Sequence, residues 1–62
     1  MIKEKVIEKV GIIYLNRPEK LNAINLAMVE RIYSILKKWE DDKNIKVILF
    51  DSLVKKGFSA GG

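Results

Sequence analysis

The chain has 62 residues, of which 48% are hydrophobic and 32% are charged, and its formal net charge is +4. Because Cys and His are both absent, disulfides, zinc sites with the usual ligands and Cys or His catalytic groups are excluded. The composition excludes an intrinsically disordered chain, and no stretch reaches the roughly 18 uninterrupted apolar residues of a membrane span, so we expect a cytoplasmic, globular protein that binds neither metal nor membrane.

The first sixteen residues predict two β-strands. Widely spaced Ile and Val residues are followed by the compact run VGIIYLN, which is rich in β-branched side chains, and such residues favour strands. The polar pair Glu8 and Lys9 predicts the turn between the strands, with Gly11 at that turn or at a bulge. The predicted element is a β-hairpin.

An irregular loop and an amphipathic helix follow the hairpin. The loop is NRPEKLNAIN, residues 16–25, in which Pro18 keeps the preceding residue out of helical conformation. Asn25 is the predicted N-cap of a helix over residues 26–41. Its apolar face is predicted to contain Val29, Ile32, Tyr33 and Leu36, widened by Met28, Ile35 and Trp39. At this spacing Tyr33 and Trp39 are predicted core residues and not stacking platforms for a ligand.

The next apolar run, IKVILFDS at residues 45–52, predicts a strand that is buried on both faces. Continuous apolar runs are typical of parallel strands, which helices cover on both sides. The second strand, the helix and this strand then form a right-handed β-α-β unit. The predicted fold class is therefore α/β, an N-terminal β-hairpin plus a β-α-β unit.

Two segments are candidates for a binding site. The first loop (residues 16–25) and the small-residue segment FSAGG (residues 58–62) each follow one of the two parallel strands. Ligands bind at this carboxyl edge of α/β sheets. Small residues let a ligand approach the backbone closely, where N–H groups stabilise developing negative charge. The alternative is a plain turn, and the missing GK[ST] ending excludes a phosphate-binding P-loop.

The order and content of these motifs resemble one known family. LNRPEKLNAIN, an amphipathic helix, a strand ending in Asp-Ser and then KKGFSAGG resemble the N-terminal part of the crotonase (enoyl-CoA hydratase/isomerase) superfamily. The resemblance implies that residues 1–62 are the N-terminal part of a crotonase-like domain, an incomplete spiral of β-β-α units. It also implies an acyl-CoA substrate and no separate cofactor, because coenzyme A is part of that substrate. The implied assembly is a homo-oligomer, either a trimer or a dimer of trimers.

The resemblance also implies which residues form the site. Family members hold the thioester oxygen in an oxyanion hole of two backbone N–H groups, and one of these donors matches Ala60. The first loop lines the CoA channel, and Lys20 is expected to neutralise a phosphate, with an ordinary exposed lysine as the alternative. The implied CoA contacts are Lys20, Leu21, Asn22, Ala23, Ser59, Ala60, Gly61 and Gly62.

Enoyl-CoA hydratase is the activity that we first expect from the resemblance, with 3-hydroxyacyl-CoA thioester hydrolase as the alternative; family isomerases and decarboxylases share the pattern. The family's second oxyanion donor, its catalytic carboxylates and the acid that usually follows AGG match no residue here. We therefore expect the 62 residues alone to be inactive. Two other functions stay open, a self-associating module that buries the apolar helix face and, less favoured, nucleic-acid binding through the basic excess.

Overall fold

A three-stranded sheet and one α-helix form the described part of the chain, which in this computed structural model is residues 1–55 and 57–61. The elements are β1 (Ile2–Ile7), β2 (Val10–Leu15), a 3-10 helix (Pro18–Lys20), α1 (Leu26–Glu40) and β3 (Val47–Ser52). In the sheet, β2 lies between its neighbours, antiparallel to β1 and parallel to β3. The predicted hairpin, β-α-β order and α/β class are confirmed.

The hairpin turns at Glu8 and Lys9, as predicted, but Gly11 has a different role from the expected one. Glu8 has the left-handed φ of 56° that a tight turn needs. Gly11 lies within the ladder, opposite Val6, and so belongs to neither a turn nor a bulge. A Cβ atom at Gly11 would lie 2.6 Å from the ring of Trp39. The glycine is there because the buried indole packs directly on the strand backbone.

The helix begins where the sequence predicted and ends one residue earlier, at Glu40. Asn25 caps it, with Oδ1 accepting a hydrogen bond of 2.9 Å from the Met28 N–H. This bond satisfies one of the N–H groups that have no partner within the helix. Among the described residues, no helix is long and apolar enough to cross a membrane.

The buried face of α1 is rotated from the predicted one. Met28, Ile35 and Trp39 are buried, which confirms Trp39 as a core residue. Tyr33 is 63% exposed and Val29 is 48% exposed, so the prediction that they lie in the core is wrong within the described chain. The side of α1 that carries Met28, Ile35 and Trp39 packs against the hairpin. Val29 and Tyr33, on the rest of the predicted apolar face, are exposed to solvent.

The hydrophobic core lies between α1 and the hairpin. Ile13, Ile35 and Trp39 form its buried cluster. Partly buried side chains pack around that cluster: Ile2, Ile32, Leu36 and Ile45. Central β2 thus provides the inward-facing side chain on which the helix rests.

Strand β3 is exposed, whereas the sequence predicted burial on both faces. Its four apolar residues, Val47, Ile48, Leu49 and Phe50, are 40% to 53% exposed. The sheet order gives β3 one described neighbour, β2, and the core cluster lies over the hairpin side of the sheet. Burial of β3 depends on a covering element, and no described element covers it.

An ion-pair group joins β1 to α1. Glu4 accepts hydrogen bonds from Lys38 Nζ at 2.7 Å and from Arg31 Nη2 at 2.9 Å. The hydrogen bond from Lys38 lowers the pKa of the Glu4 carboxyl below its ordinary value of 4.5, with help from Arg31 and against the opposing effect of burial. These pairs hold the helix over the first strand.

We predict that Gly11→Ala destabilises the fold by about 1–3 kcal/mol, because the new methyl group must displace a buried indole. Urea unfolding followed by far-UV circular dichroism measures the cost, because it needs no tryptophan and the single Trp of the chain is Trp39 itself. In a Trp39→Leu background the Gly11→Ala change should cost much less. An equal cost in both backgrounds would show that the contact with the ring is not the reason for the glycine.

We predict that Glu4→Gln lowers the free energy of unfolding by about 0.5 kcal/mol at neutral pH and low salt. Because folding lowers the pKa of Glu4, its stabilisation is present above pH 4.5 and is lost as the pH falls through the lowered pKa. Denaturant unfolding at several pH values measures this difference. Glu30→Gln, on α1, is the control. A wild-type advantage that persists in strong acid would contradict the prediction.

Candidate functional site

The first loop and the small-residue segment meet at one edge of the sheet. Because β2 and β3 are parallel and Leu15 pairs with Ser52, the chain leaves both strands at the same level, into the first loop after β2 and toward the small-residue segment after β3. Two backbone hydrogen bonds then join them, from the Ala60 N–H to the Leu21 carbonyl at 2.9 Å and from the Ile24 N–H to the Gly61 carbonyl at 2.7 Å. The two segments thus adjoin at the carboxyl edge, and that they face one ligand pocket stays a prediction.

Ser59 adds a side-chain connection to this pairing. Its Oγ donates to the Asn22 carbonyl at 2.8 Å and accepts from the Gly61 N–H at 3.0 Å. One hydroxyl therefore ties the small-residue segment to the first loop and also shapes the segment itself. Gly61 has a φ of 99°, a conformation that glycine adopts without strain.

Asn22 lies at the centre of the contact and has no exposed surface. Its Oδ1 accepts from the Arg17 N–H at 2.6 Å, and its Nδ2 donates to Ser52 Oγ and to the Phe58 carbonyl, each at 2.7 Å. A buried amide needs such partners because an unpaired polar group in the interior costs about 1–3 kcal/mol. The predicted contact between Asn22 and CoA does not fit this burial, because the side chain is enclosed by the protein.

The first loop is also held by bonds within itself. The Arg17 carbonyl accepts from the N–H groups of Lys20 and Asn22, at 3.2 and 2.8 Å. The guanidinium of Arg17 donates to the Ala23 carbonyl at 2.9 Å. Leu21 and Asn22 both have left-handed φ angles, 50° and 59°. Asparagine tolerates this conformation, whereas for leucine no sequence signal predicted it.

The other predicted contacts differ in their access to solvent. Lys20 and Leu21 are exposed on the first loop, where Ala23 is half-buried. Ser59, Ala60 and Gly61 are exposed on the small-residue segment. Gly62 lies outside the described residues. The exposed members therefore flank the buried Asn22 on two sides, and their contact with CoA stays a prediction.

Ala60 was predicted to donate its N–H to a thioester oxygen. In the structure this N–H already donates to the Leu21 carbonyl. A donor that has a strong acceptor within the protein is not free for a ligand unless that bond breaks. The Ala60 N–H must exchange this bond to reach a ligand oxygen, and its role as an oxyanion donor stays a prediction.

Arg17 and Ser52 lie in motifs that carry the family resemblance, but they were not among the predicted site residues. Besides its bond to Asn22, Ser52 Oγ accepts from the Val54 N–H at 2.9 Å and lies 3.0 Å from the Gly57 carbonyl. Serine is common in turns, and nothing local distinguishes this one. Its proximity to Asn22 arises from the parallel register of β2 and β3.

The described residues of the site present mainly backbone amides and exposed loop side chains. Among residues 1–55 and 57–61, no group of three or more Asp or Glu residues is placed to hold a metal ion. The carboxyl with a lowered pKa, Glu4, forms ion pairs with the helix. A surface depression beside Glu8, Lys9, Val10 and Asn44 lies at the opposite end of the sheet. Backbone amides and exposed loop residues are thus what the carboxyl edge presents to a ligand.

Several curated proteins similar to this chain carry the name 3-hydroxyisobutyryl-CoA hydrolase, mitochondrial. The human protein is 44% identical over 63 residues, covering 97% of this chain and 16% of its own length. The rat protein is 48% identical over 52 residues, covering 84% of this chain and 14% of its own length. The chain therefore spans about one sixth of the length of these relatives.

Solved structures match nearly the whole chain. AtuE of Pseudomonas aeruginosa superposes with a TM-score of 0.89 at 34% identity, covering 98% of this chain and 23% of its own. An enoyl-CoA hydratase from Mycobacterium marinum gives a TM-score of 0.87 at 35% identity, covering 97% of this chain and 28% of its own. The hairpin, helix and third strand are thus part of a known architecture, the crotonase-like fold predicted from the sequence.

A protein-family model assigns the chain directly. The model described as enoyl-CoA hydratase/isomerase matches residues 10–62, a range that contains β2, the first loop, α1, β3 and the small-residue segment. With relatives that are more than 40% identical over most of the chain, this match is decisive. The chain belongs to the enoyl-CoA hydratase/isomerase family, the crotonase superfamily.

Proposed function

We propose that this chain forms part of an acyl-CoA thioester hydrolase that acts on a 3-hydroxyacyl-CoA. The observation that carries the proposal is the contact between the first loop and the small-residue segment, with exposed residues of both at one edge of the sheet. The reaction type is supported by the relatives, several of which carry the name 3-hydroxyisobutyryl-CoA hydrolase at 43% to 48% identity.

In the proposed reaction, water adds to the thioester carbonyl carbon, the carbon–sulfur bond breaks and CoA leaves as its thiol. Negative charge develops on the carbonyl oxygen, so backbone N–H groups aimed at that oxygen lower the barrier. We assign substrate binding and stabilisation of this charge to residues of the site. We assign proton transfer to no residue of this chain. The expectation that the 62 residues alone do not catalyse follows from that assignment.

We assign the oxyanion donor to the small-residue segment. Of its two candidate N–H groups, on Ala60 and Gly61, the Ala60 N–H is less available to a ligand oxygen. The Ala60 N–H is bonded to a carbonyl, whereas the Gly61 N–H is bonded to the Ser59 hydroxyl. The Ser59 hydroxyl can rotate away and free the Gly61 N–H for a ligand. To free the Ala60 N–H, the protein must break a backbone bond that joins the small-residue segment to the first loop.

Hydration of an enoyl-CoA is the second candidate. The family model includes that activity in its description, and the Mycobacterium marinum structure is of an enoyl-CoA hydratase at 35% identity. Both reactions need a bound thioester oxygen, so the residues described here serve either one. Assays with the two substrates distinguish hydrolysis from hydration.

We predict that the protein, purified at its natural length, releases free CoA thiol from 3-hydroxyisobutyryl-CoA. Thiol release measures hydrolysis, and loss of the enoyl-thioester absorbance of crotonyl-CoA measures hydration. Faster hydration than hydrolysis would reject the hydrolase in favour of the second candidate. Absence of both reactions, together with absence of acyl-CoA binding, would reject the acyl-CoA enzyme altogether.

We predict that Lys20→Gln raises KM for the CoA thioester roughly 2- to 5-fold and leaves kcat unchanged, because an exposed charge pair contributes little and equally to ground and transition states. Steady-state kinetics measure the change. The corresponding pantetheine thioester, which lacks the nucleotide phosphates, should show no difference. Lys43→Gln, in the turn before β3, is the matched control, and an equal effect on both thioesters would contradict a phosphate contact.

Partners and location stay predictions. A homo-oligomer is implied by the family resemblance, and the exposed apolar residues of β3 show only that no described element covers this strand. A cytoplasmic location finds no support in the relatives, whose names place them in mitochondria.

A further inference from the structure

Asn22 connects three parts of the chain that are distant in sequence. Its side chain bonds to Arg17 at the start of the first loop, to Ser52 at the end of β3 and to Phe58 at the start of the small-residue segment. All three bonds lie between 2.6 and 2.7 Å, and the side chain is fully buried. Such bonds are strong because water does not compete for either partner.

The small-residue segment has no regular secondary structure of its own. Its conformation depends on the first loop, through the Phe58 carbonyl, the Ser59 hydroxyl, the Ala60 N–H and the Gly61 carbonyl. All four of these groups bond to loop residues 21–24. The loop therefore acts as the template on which the segment is ordered.

We propose that Asn22 is a positioning residue, which fixes the small-residue segment against the first loop so that the two surfaces bind an acyl-CoA as one rigid unit. This role rests on the proposed function, because it explains how the CoA-binding loop and the oxyanion-binding segment keep a constant separation. Asn22 itself touches no ligand. The Nδ2 group is the critical part, since it alone reaches both Ser52 and Phe58.

Asn22→Asp is the sharpest test, because it keeps the size of the side chain, the acceptor for the Arg17 N–H and a residue that tolerates φ of 59°. It replaces the Nδ2 donor by an oxygen that faces the Phe58 carbonyl. At neutral pH, hydrogen-exchange protection of the Ala60 and Ile24 amides should fall about 10-fold or more. Protection of the Ile13 amide in β2 should change much less.

Acid should partly reverse this effect. A protonated carboxyl regains one donor, and burial raises the pKa of a carboxyl group. In the Asn22→Asp variant, protection of the Ala60 amide, corrected for the intrinsic exchange rate, should therefore recover as the pH is lowered. Asn22→Gly keeps the left-handed backbone but has no side chain, so it should lose protection without recovery in acid.

Asn25→Asp is the matched control, because Asn25 caps the helix through Oδ1 and is not part of this network; it should leave the Ala60 amide unchanged. If Asn22→Asp does not fold at neutral pH, Asn22→Gly and Ser52→Ala carry the same test. Protection of Ala60 and Ile24 that stays at the wild-type level, or that falls only in step with Ile13, overturns the positioning role.

The activity readout separates this inference from the proposed function. If wild-type protein hydrolyses 3-hydroxyisobutyryl-CoA, Asn22→Asp should lower kcat more than it raises KM, and kcat should recover in acid relative to wild type. If wild-type protein turns over no acyl-CoA but the exchange pattern is as expected, the proposed function fails and the structural coupling stands. An unchanged exchange pattern rejects the coupling whatever the activity.

Discussion

The buried amide of Asn22 is the interaction on which the rest of the site depends. Its polar atoms cannot reach water, so each needs a partner in the protein, and an unpaired one costs about 1–3 kcal/mol. Those partners come from the first loop, the end of β3 and the small-residue segment. The parallel register of Leu15 and Ser52 brings them within reach. The sheet topology thus sets the position of the site. In our proposal, the side chain of Asn22 sets the distance between the first loop and the small-residue segment.

The local elements could be predicted from the sequence because their causes are local. A capping asparagine and apolar spacing gave α1 to within one residue, and the polar pair at residues 8–9 gave the hairpin turn. Burial was harder to predict. Which side of α1 faces the hairpin, and whether β3 is covered, depend on contacts distant in the chain, so Tyr33 and β3 proved exposed. Gly11 was misplaced for the same reason, since its partner Trp39 is distant in sequence.

For the site, the resemblance and the parallel strands predicted which two segments meet, but not how they bond. The side chain of Asn22, expected to contact CoA, is buried and bonds to three other parts of the chain. The Ala60 N–H, expected to face a ligand, bonds to Leu21 instead. Neither result is visible in a motif, because both arise from the way the two segments pack on each other. The motif LNRPEKLNAIN therefore encodes internal hydrogen bonds as well as a predicted binding surface.

We propose that the first loop and the small-residue segment form one acyl-CoA site. The isotopically labelled protein can be titrated with a non-hydrolysable CoA thioether while the amide chemical shifts are followed. If the two segments bind as one site, amides of residues 20–23 and 59–61 shift together with one dissociation constant, while those of Lys9 and Asn44 at the opposite end of the sheet do not. Shifts confined to one segment, or found at that opposite end, would contradict it.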